Sequence, residues 1–270
     1  MATQIRYEKK EAVGYITIYE EVERHPCTLD WDSLAMFEKA IGEIRQDEEI
    51  RVVVVQSASP KSFVVGANIK VLETLNKDNI MDWVKNGHRI FNQLQQLPVP
   101  VIARVESYCL GGGLELAMSC DMIVASEEAK FAQPEAGLGV MPGWGGSYRL
   151  ANLVGINRAK EMFFTGRQID AKQAYEWGIV NHVFAKDEMD EKLGQMICPG
   201  VQMIGKKQIE EFAVKRKLGA LMIRPMDQQK AAEAISALQN ASKVPMLIAA
   251  NLEWGGDGAV LQGTKYGMPM

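Results

Sequence analysis

The segment 109–149 holds two glutamates in apolar, glycine-rich surroundings. Glu115 follows a run of three glycines (111–113) in the sequence GGGLELA, and Glu135 follows a proline in QPEAGLG. A second glycine-rich turn, GVMPGWGG (139–146), comes next. Two carboxyl groups placed near one site can serve as a general acid and a general base. This pair is therefore the first candidate for catalysis in the chain.

The glycine turns add a second chemical resource, namely backbone N–H groups without partners. Glycine allows the chain to turn sharply and lets another group approach the backbone closely. A glycine run that opens a helix leaves its first N–H groups pointing at whatever lies in front of them. Such donors stabilise negative charge that develops on a carbonyl oxygen during a reaction. The combination indicates acid–base chemistry beside an oxyanion.

Each of these features also has a purely structural explanation. A glycine turn is commonly nothing more than a turn. Glu115 could be a first-turn glutamate that interacts with the helix dipole, and Glu135 could be a surface residue of a loop. Their occurrence together in one short segment favours the functional interpretation.

Composition places the chain among globular proteins with a sizeable core. Of its 270 residues, 47% are apolar and 24% are charged, and the formal net charge is −4. This length predicts one large domain, or one domain with an appendage. The slightly acidic balance argues against nucleic acid or an anionic membrane as the main partner. We find no apolar run of membrane-spanning length and no apolar signal core near the N-terminus.

Cysteine and histidine usage predicts reduced thiols and no metal site. The four cysteines form no CxxC pair and no disulfide-like framework: Cys27, Cys109, Cys120 and Cys198. That pattern predicts a cytoplasmic protein. The three histidines are scattered without ligand-like spacing: His25, His88 and His182. No GxGxxG follows the first predicted strand and no lysine follows the glycine turns, so neither a dinucleotide fold nor a P-loop is indicated.

Hydrophobic periodicity predicts strands that alternate with helices, and hence the α/β class. Strands are predicted at 5–9, 13–19, 51–56, 99–105, 122–126, 130–133 and 179–184, with a short apolar run at 63–68, and helices from residue 33 and at 78–97, 148–154, 158–164 and 171–177. Asp32 or Ser33 is expected to cap the first helix, and Asn68 a second one. Beyond Lys186 the pattern predicts helices broken at 199–200.

Three stretches resemble the crotonase superfamily, that is, the enoyl-CoA hydratases and isomerases. They are KSFVVGANI (61–69), the segment from VPVIARV to GGSYRL (99–150), and EMFFTGRQIDAKQAYEWGIVNHV (161–183), in the family's order and spacing. The resemblance implies a crotonase-like spiral of ββα units over 1–190 that contains a CoA thioester site. It further implies that 191–270 forms a C-terminal helical region that builds a trimer, or a hexamer as a dimer of trimers.

The resemblance also implies roles for particular residues. The substrate would be an acyl-CoA thioester, and coenzyme A would enter as part of the substrate, with no separate cofactor. The thioester oxygen would lie between the backbone N–H groups of Ala67 and Gly112. The family's two catalytic glutamates fall on Glu115 and Glu135, and Gly143 falls where the family positions the attacking water. Because both glutamates are present, hydration is favoured over other chemistry of the superfamily.

Trp144 departs from the family, in which alanine is common at this position. Its bulk, next to the expected water site, predicts a reshaped acyl pocket. An enoyl-CoA isomerase, or a hydratase or hydrolase of a cyclic acyl-CoA, therefore stays open as an alternative. A non-enzymatic trimer that binds RNA or a protein is a second alternative, which only the basic run at 206–217 favours. Acyl chain length and stereochemistry are not determined by these residues.

Overall fold

The computed structural model of the chain describes residues 3–22, 25–196, 200–201, 209–215, 220–223, 228–243 and 245–250. The chain divides into two compact units, Met1–Lys186 and Asp187–Met270. All six residues that the sequence singled out for the site lie in the first unit. None of the described helices is long and apolar enough to cross a membrane.

The first unit alternates short strands with helices, as the α/β class requires. Its strands are β1 (Thr3–Lys10), β2 (Val13–Glu20), β3 (Val52–Ser57), β4 (Ser62–Val64), β5 (Val101–Val105), β6 (Tyr108–Leu110), β7 (Met122–Ser126), β8 (Lys130–Ala132), β9 (Ile169–Asp170) and β10 (His182–Phe184). Its helices are α1 (Trp31–Gln46), α2 (Ile69–Leu72), α3 (Ile80–Gln95), α4 (Gly112–Ala117), α5 (Gly146–Val154), α6 (Ile156–Thr165) and α7 (Ala171–Glu176), with a 3-10 turn at Pro134–Leu138. The sequence missed β6 and β9, because two or three residues carry too little periodicity.

From β3 to β8, successive strands alternate between two sheets, so that this part of the chain forms a spiral. One sheet has the order β1-β2-β3-β5-β7-β10 and the other has the order β4-β6-β8-β9. Each of the pairs β3–β4, β5–β6 and β7–β8 gives one strand to each sheet before the chain turns into helix. Within the second sheet β4 and β6 are parallel neighbours. Their strand-to-helix turns therefore lie side by side, and these are the turns that carry Ala67 and Gly112.

The sequence explains why these elements begin and end where they do. All four valines of β3 are buried, as expected for a strand covered on both faces. Asn68 caps α2 as predicted, since its side chain accepts a hydrogen bond from the N–H of Lys70. The predicted caps of α1 were wrong. Asp30 is the N-cap, and its carboxylate and the hydroxyl of Ser33 each accept the other's backbone N–H at 2.8 Å.

Close packing of α4 against β4 depends on a single glycine. A Cβ built on Gly113 would lie 2.0 Å from the carbonyl oxygen of Val64. A side chain at this position would therefore push the helix away from the strand. Because α4 carries Glu115, Gly113 is a packing requirement of the site as well as part of the glycine turn.

The second unit contains strands that the sequence did not predict. It comprises α8 (Met189–Met196), β11 (Gly200–Val201), a π-helical segment (Glu210–Lys215), β12 (Ala220–Ile223), α9 (Gln228–Ala241) and β13 (Leu247–Ala250). The three strands form a parallel sheet in chain order. The prediction of helices throughout was wrong at these strands, because apolar runs of four residues fit a buried strand or a buried helix equally well.

Two smaller expectations for this unit can be compared with the structure only in part. Of the predicted break at 199–200, Gly200 opens β11, and residue 199 lies outside the described residues. Of the basic run at 206–217, for which a helix was predicted, residues 209–215 are described and contain the π-helical segment, and the other five residues lie outside the described part of the chain. The role of 191–270 in oligomerisation stays a prediction.

Candidate active site

A cavity of about 170 Å³ opens where β4 and β6 run into α2 and α4. Its wall includes all six residues predicted for the site: Ala67, Gly112, Glu115, Glu135, Gly143 and Trp144. Most of the remaining wall is aliphatic, with side chains from α2, α3 and the loop that follows the 3-10 turn. The fold thus brings together two carboxyl groups and two glycine turns in an otherwise apolar cleft.

The N–H groups of Ala67 and Gly112 are both available to a ligand. Leu29 pairs with the carbonyl of Gly66 and the N–H of Asn68, at 2.8 and 2.7 Å. The intervening N–H of Ala67 therefore points away from Leu29. Gly112 stands in the first turn of α4, where an N–H has no partner within the helix. Among the hydrogen bonds that the structure describes, neither N–H has a protein acceptor.

The two turns approach each other closely because both contain glycine. Gly66 has a φ of 103°, a conformation that other residues rarely adopt. A Cβ built on Gly112 would lie 3.6 Å from the Cα of Gly66 and 2.6 Å from the indole ring of Trp144. A larger residue at Gly112 would therefore collide with the tryptophan. The glycines let the two N–H groups come from adjacent pieces of backbone.

Glu115 is held in place through one of its two carboxylate oxygens, Oε1. Its side chain is almost fully buried, and Oε1 accepts hydrogen bonds from the N–H groups of Trp144 and Gly146 at 2.8 and 2.7 Å. No described hydrogen bond reaches Oε2, so this oxygen is open to a water or a substrate. Burial raises the pKa of Glu115 to about 7, against the opposing effects of the two N–H groups and of the positive charge on Arg149.

Glu135 reaches the same cavity from the 3-10 turn. A Cβ built on Gly111 would lie 3.0 Å from Oε1 of Glu135, so the carboxyl group packs directly on the glycine turn. Burial, with a smaller contribution from the negative charge of Glu115, raises the pKa of Glu135 to about 7. Because each charge disfavours the other, the pair favours a state with a single negative charge.

Gln133 links the two glutamates and was not predicted from the sequence. It is fully buried. We assign its amide with the NH₂ group toward Glu135, since only this orientation satisfies both ends of the amide, with distances of 2.8 and 2.9 Å to Oε1 and Oε2. Its side chain also lies against Gly146, next to the carboxylate of Glu115. A glutamine at the end of a strand carries no sequence signal for such a role.

Trp144 belongs both to the cavity wall and to the core. Only 3% of it is exposed, and its ring centroid lies 4.9 Å from that of Trp83 and 5.5 Å from that of Phe91. Its Nε1 donates a hydrogen bond to the carbonyl of Trp83 at 3.3 Å. On the other side, a Cβ on Gly87 would lie 2.3 Å from the indole. Trp144 thus combines the pocket position expected from the sequence with a packing role in the core.

The arrangement defines a class of chemistry. Two backbone donors can stabilise an oxyanion that forms on a carbonyl group. Two carboxyl groups with raised pKa values can remove and supply a proton near neutral pH. Within the described residues there is no cluster of three or more His, Cys, Asp or Glu side chains that could hold a metal ion. The residues present are those of an acid–base enzyme that acts next to a carbonyl carbon.

Comparisons with known proteins point to the same class. The sequence profile of the family described as Enoyl-CoA hydratase/isomerase matches residues 8–242. The chain is 41% identical to the short-chain-enoyl-CoA hydratase of Clostridium acetobutylicum, over 67% of this chain and 69% of that protein. It is 36% identical to the crotonyl-CoA hydratase of Syntrophomonas wolfei, over 67% and 68%. A crystal structure of enoyl-CoA hydratase from Bacillus anthracis superimposes with a TM-score of 0.65 at 33% identity, covering 70% of this chain and 73% of that one.

The chain belongs to the enoyl-CoA hydratase/isomerase family. It is an enzyme of the crotonase superfamily, and the predictions of family and fold class are confirmed. The match to the profile runs beyond the first unit into the second.

The raised pKa values predict how the stability of the protein depends on pH. A carboxyl group with a pKa of about 7 in the folded state and about 4.3 in the unfolded state binds more protons when folded. The stabilisation is complete below pH 4.3 and is lost as the pH rises through 7. We expect Glu115→Gln, whose amide oxygen can still accept both N–H groups, to be more stable than the parent above pH 7, by up to about 4 kcal/mol.

Urea unfolding between pH 5 and pH 9 measures this difference. Glu176→Gln, which changes an exposed glutamate on α7, is the matched control and should follow the parent at every pH. Parallel stability curves for the parent and Glu115→Gln would show that burial does not perturb Glu115 in this way.

Proposed function

We propose that this chain is an enoyl-CoA hydratase that adds water across the 2,3 double bond of an unsaturated acyl-CoA thioester. The observation that supports the proposal best is the cavity wall, where Glu115 and Glu135 stand beside the N–H groups of Ala67 and Gly112. The names of the two hydratases given above support the same substrate class. The cavity would hold the acyl chain, and coenzyme A would be bound as part of the substrate.

The backbone donors explain how the thioester would be activated. With its carbonyl oxygen between the N–H groups of Ala67 and Gly112, the thioester draws electron density away from C3. Attack at C3 then moves charge onto this oxygen, where the donors stabilise it as it forms. The donors are fixed by the strand-to-helix turns, so no reorganisation is needed when the charge appears. In this scheme the oxyanion hole requires no cofactor.

The two glutamates would divide the proton transfers. Ionised Glu115 takes a proton through its free Oε2 from the water that attacks C3. Protonated Glu135 gives a proton to C2 as the double bond is consumed. A bond from the water oxygen to C3 and a bond from hydrogen to C2 form, and the π bond breaks. The family resemblance assigns the position of the water to Gly143, whose backbone lies in the cavity wall opposite Val84.

Kinetics with crotonyl-CoA test these roles. We expect Glu115→Gln and Glu135→Gln each to lower the rate of hydration by roughly 10²–10⁴-fold, the usual loss for a positioned acid or base. Glu176→Gln on the surface should keep full activity. Near-parental turnover in either active-site variant would remove that glutamate from the mechanism.

The same assay separates hydration from isomerisation. A parent enzyme that converts a 3-enoyl-CoA into the 2-enoyl isomer, without hydrating crotonyl-CoA, would support the isomerase alternative. Tests on straight-chain and cyclic substrates distinguish the remaining alternative within the fold. Binding of RNA that weakens with rising salt would support the non-enzymatic reading.

Trp144 is proposed to limit the acyl group that the cavity accepts. Trp144→Ala should lower stability by about 3–5 kcal/mol, since the indole is buried between two glycines. It should also change the ratio of kcat/KM between crotonyl-CoA and a branched or cyclic enoyl-CoA by roughly 1–3 kcal/mol. Thermal midpoints and kcat/KM values for both substrates measure these effects.

Trp177→Ala offers a matched control. Trp177 packs against the guanidinium groups of Arg158 and Arg167 and is not part of the cavity wall. Its loss should affect stability and leave the substrate ratio unchanged. If the ratio also stays unchanged in Trp144→Ala, the tryptophan has only a packing role.

A homotrimer, or a hexamer built from two trimers, is proposed as the working form. The supporting observation is a set of large apolar side chains exposed on three consecutive helices: Tyr148 (70%), Ile156 (62%), Phe164 (77%) and Tyr175 (55%). Apolar side chains exposed to this degree commonly mark an interaction surface. The contribution of 191–270 to the assembly stays a prediction, as does the cytoplasmic location.

Light scattering at micromolar concentration measures the assembly. We expect the mass of a trimer or hexamer, and partial or full dissociation in the double variant Ile156→Asp with Phe164→Asp. Val22→Asp, at an exposed valine after β2, is the control and should not change the mass. A monomeric parent protein would contradict the proposal.

A further inference from the structure

Arg149 is a buried cation behind the catalytic turn. Only 6% of the residue is exposed. Its Nη1 donates to the carbonyl of Trp144 at 2.9 Å, and its Nη2 donates to Oδ1 of Asn92 at 2.7 Å. Nε and Nη2 both donate to Oε1 of Gln95, at 3.2 and 3.1 Å. All three nitrogens thus have partners, and every one of these partners is electrically neutral.

A buried guanidinium with neutral partners carries an uncompensated charge. Burying such a charge costs free energy unless an opposite charge lies nearby. No described salt bridge involves Arg149. Burial lowers the pKa of Arg149 and raises that of Glu115, and the attraction between the two charges opposes both shifts. Glu115 is therefore the carboxylate that the buried cation stabilises.

Arg149 also fixes the backbone that binds Glu115. The carbonyl of Trp144 accepts from Arg149, and the N–H groups of Trp144 and Gly146 donate to Glu115. Gly145 between them has a φ of 104°, and a Cβ there would lie 2.1 Å from Nη1 of Arg149. The turn 144–146 thus contacts the guanidinium of Arg149 through a carbonyl group and the carboxylate of Glu115 through two N–H groups.

We propose that Arg149 is a positioning residue: it holds the turn 144–146 against Glu115 and keeps Glu115 ionised, so that the proton shared by the two glutamates resides on Glu135. The catalytic consequence rests on the hydration proposed above, whereas the charge state of Glu115 can be measured without turnover. Arg149 itself does not line the cavity and would not touch the substrate.

Other titratable groups around Glu115, Arg149 and the turn between them must be separated from the effect of Arg149. They are Glu135 on the 3-10 turn, His88 on α3, Tyr148 on α5, and Cys109, Cys120 and Asp121 on either side of α4. Burial raises the pKa of the Cys109 and Cys120 thiols, so they stay neutral near pH 7. His88 is the one histidine among these groups, and His88→Gln therefore serves as a control variant.

The direct test titrates Glu115 in a Glu135→Gln background by infrared spectroscopy. The carboxyl band that disappears in the double variant with Glu115→Gln belongs to Glu115. We expect Arg149→Gln to move the titration midpoint of this band to higher pH, because the stabilising charge is lost. Arg149→Lys keeps the charge and should leave the midpoint close to that of the background, and so should His88→Gln.

Activity gives the second readout, in variants that keep both glutamates. Arg149→Gln should lower kcat by about 10²-fold, the usual loss when a catalytic group is misplaced by about 1 Å, and should shift the pH profile to higher pH. Arg149→Lys should lower kcat without the shift in profile, because the compact ammonium group keeps the charge but cannot reach all the acceptors that surround the planar guanidinium. Arg158→Gln, an exposed arginine on α6, should match the parent.

In case Arg149→Gln does not fold, a second variant changes the charge near Arg149 and keeps the arginine itself. Asn92→Asp places a carboxylate at hydrogen-bonding distance from Nη2 and should neutralise the guanidinium locally, which also raises the Glu115 midpoint. An unchanged midpoint in Asn92→Asp, or in a folded Arg149→Gln, overturns the proposal and leaves Arg149 a packing residue. A shifted midpoint in a protein that hydrates no enoyl-CoA would uphold this charge assignment and refute the proposed function instead.

Discussion

The site depends on one interaction, the pair of hydrogen bonds that the turn 144–146 donates to Oε1 of Glu115. A carboxyl group buried this deeply is costly unless donors replace the lost water. The two N–H groups supply that replacement and leave Oε2 open to the cavity. Other features follow from this contact, since Gly146 must be glycine to avoid Glu115 and Gln133. Arg149 holds this turn in place, because it donates a hydrogen bond to the carbonyl of Trp144.

The spiral supplies the second requirement, which is close approach of two separate turns. β4 and β6 are parallel neighbours, and each runs directly into a helix. The first N–H groups of both turns therefore point into one cleft. Gly113 lets α4 sit against β4, and Gly66 and Gly112 let the turns nearly touch. Any residue with a side chain at these positions would separate the two donors or displace Glu115.

The groups that surround the two glutamates differ, and this difference affects how readily each carboxyl group ionises. Glu115 has two backbone donors and the buried cation Arg149 nearby, whereas the charge of Glu115 itself raises the pKa of Glu135. Two similar carboxyl groups can then act as base and acid at the same pH. Trp83 and Trp144 contribute aromatic surface to the cavity wall, and Phe91 packs against Trp144.

The sequence by itself determined the α/β class and most strands and helices of the first unit, because hydrophobic periodicity is a local signal. Glu115 and Glu135 were candidates because of their glycine-rich, apolar surroundings, whereas the roles expected of Ala67, Gly112 and Gly143 came from the resemblance to the family. Tertiary structure decided what connects them. Gln133 donates to Glu135, and Arg149 binds the carbonyl of Trp144 together with Asn92 and Gln95 of α3. These contacts depend on how α3 and the turn 144–146 pack together, which no local pattern of residue types shows. The short strands of the second unit escaped prediction for a related reason: four apolar residues become a strand or a helix according to the surface on which they pack.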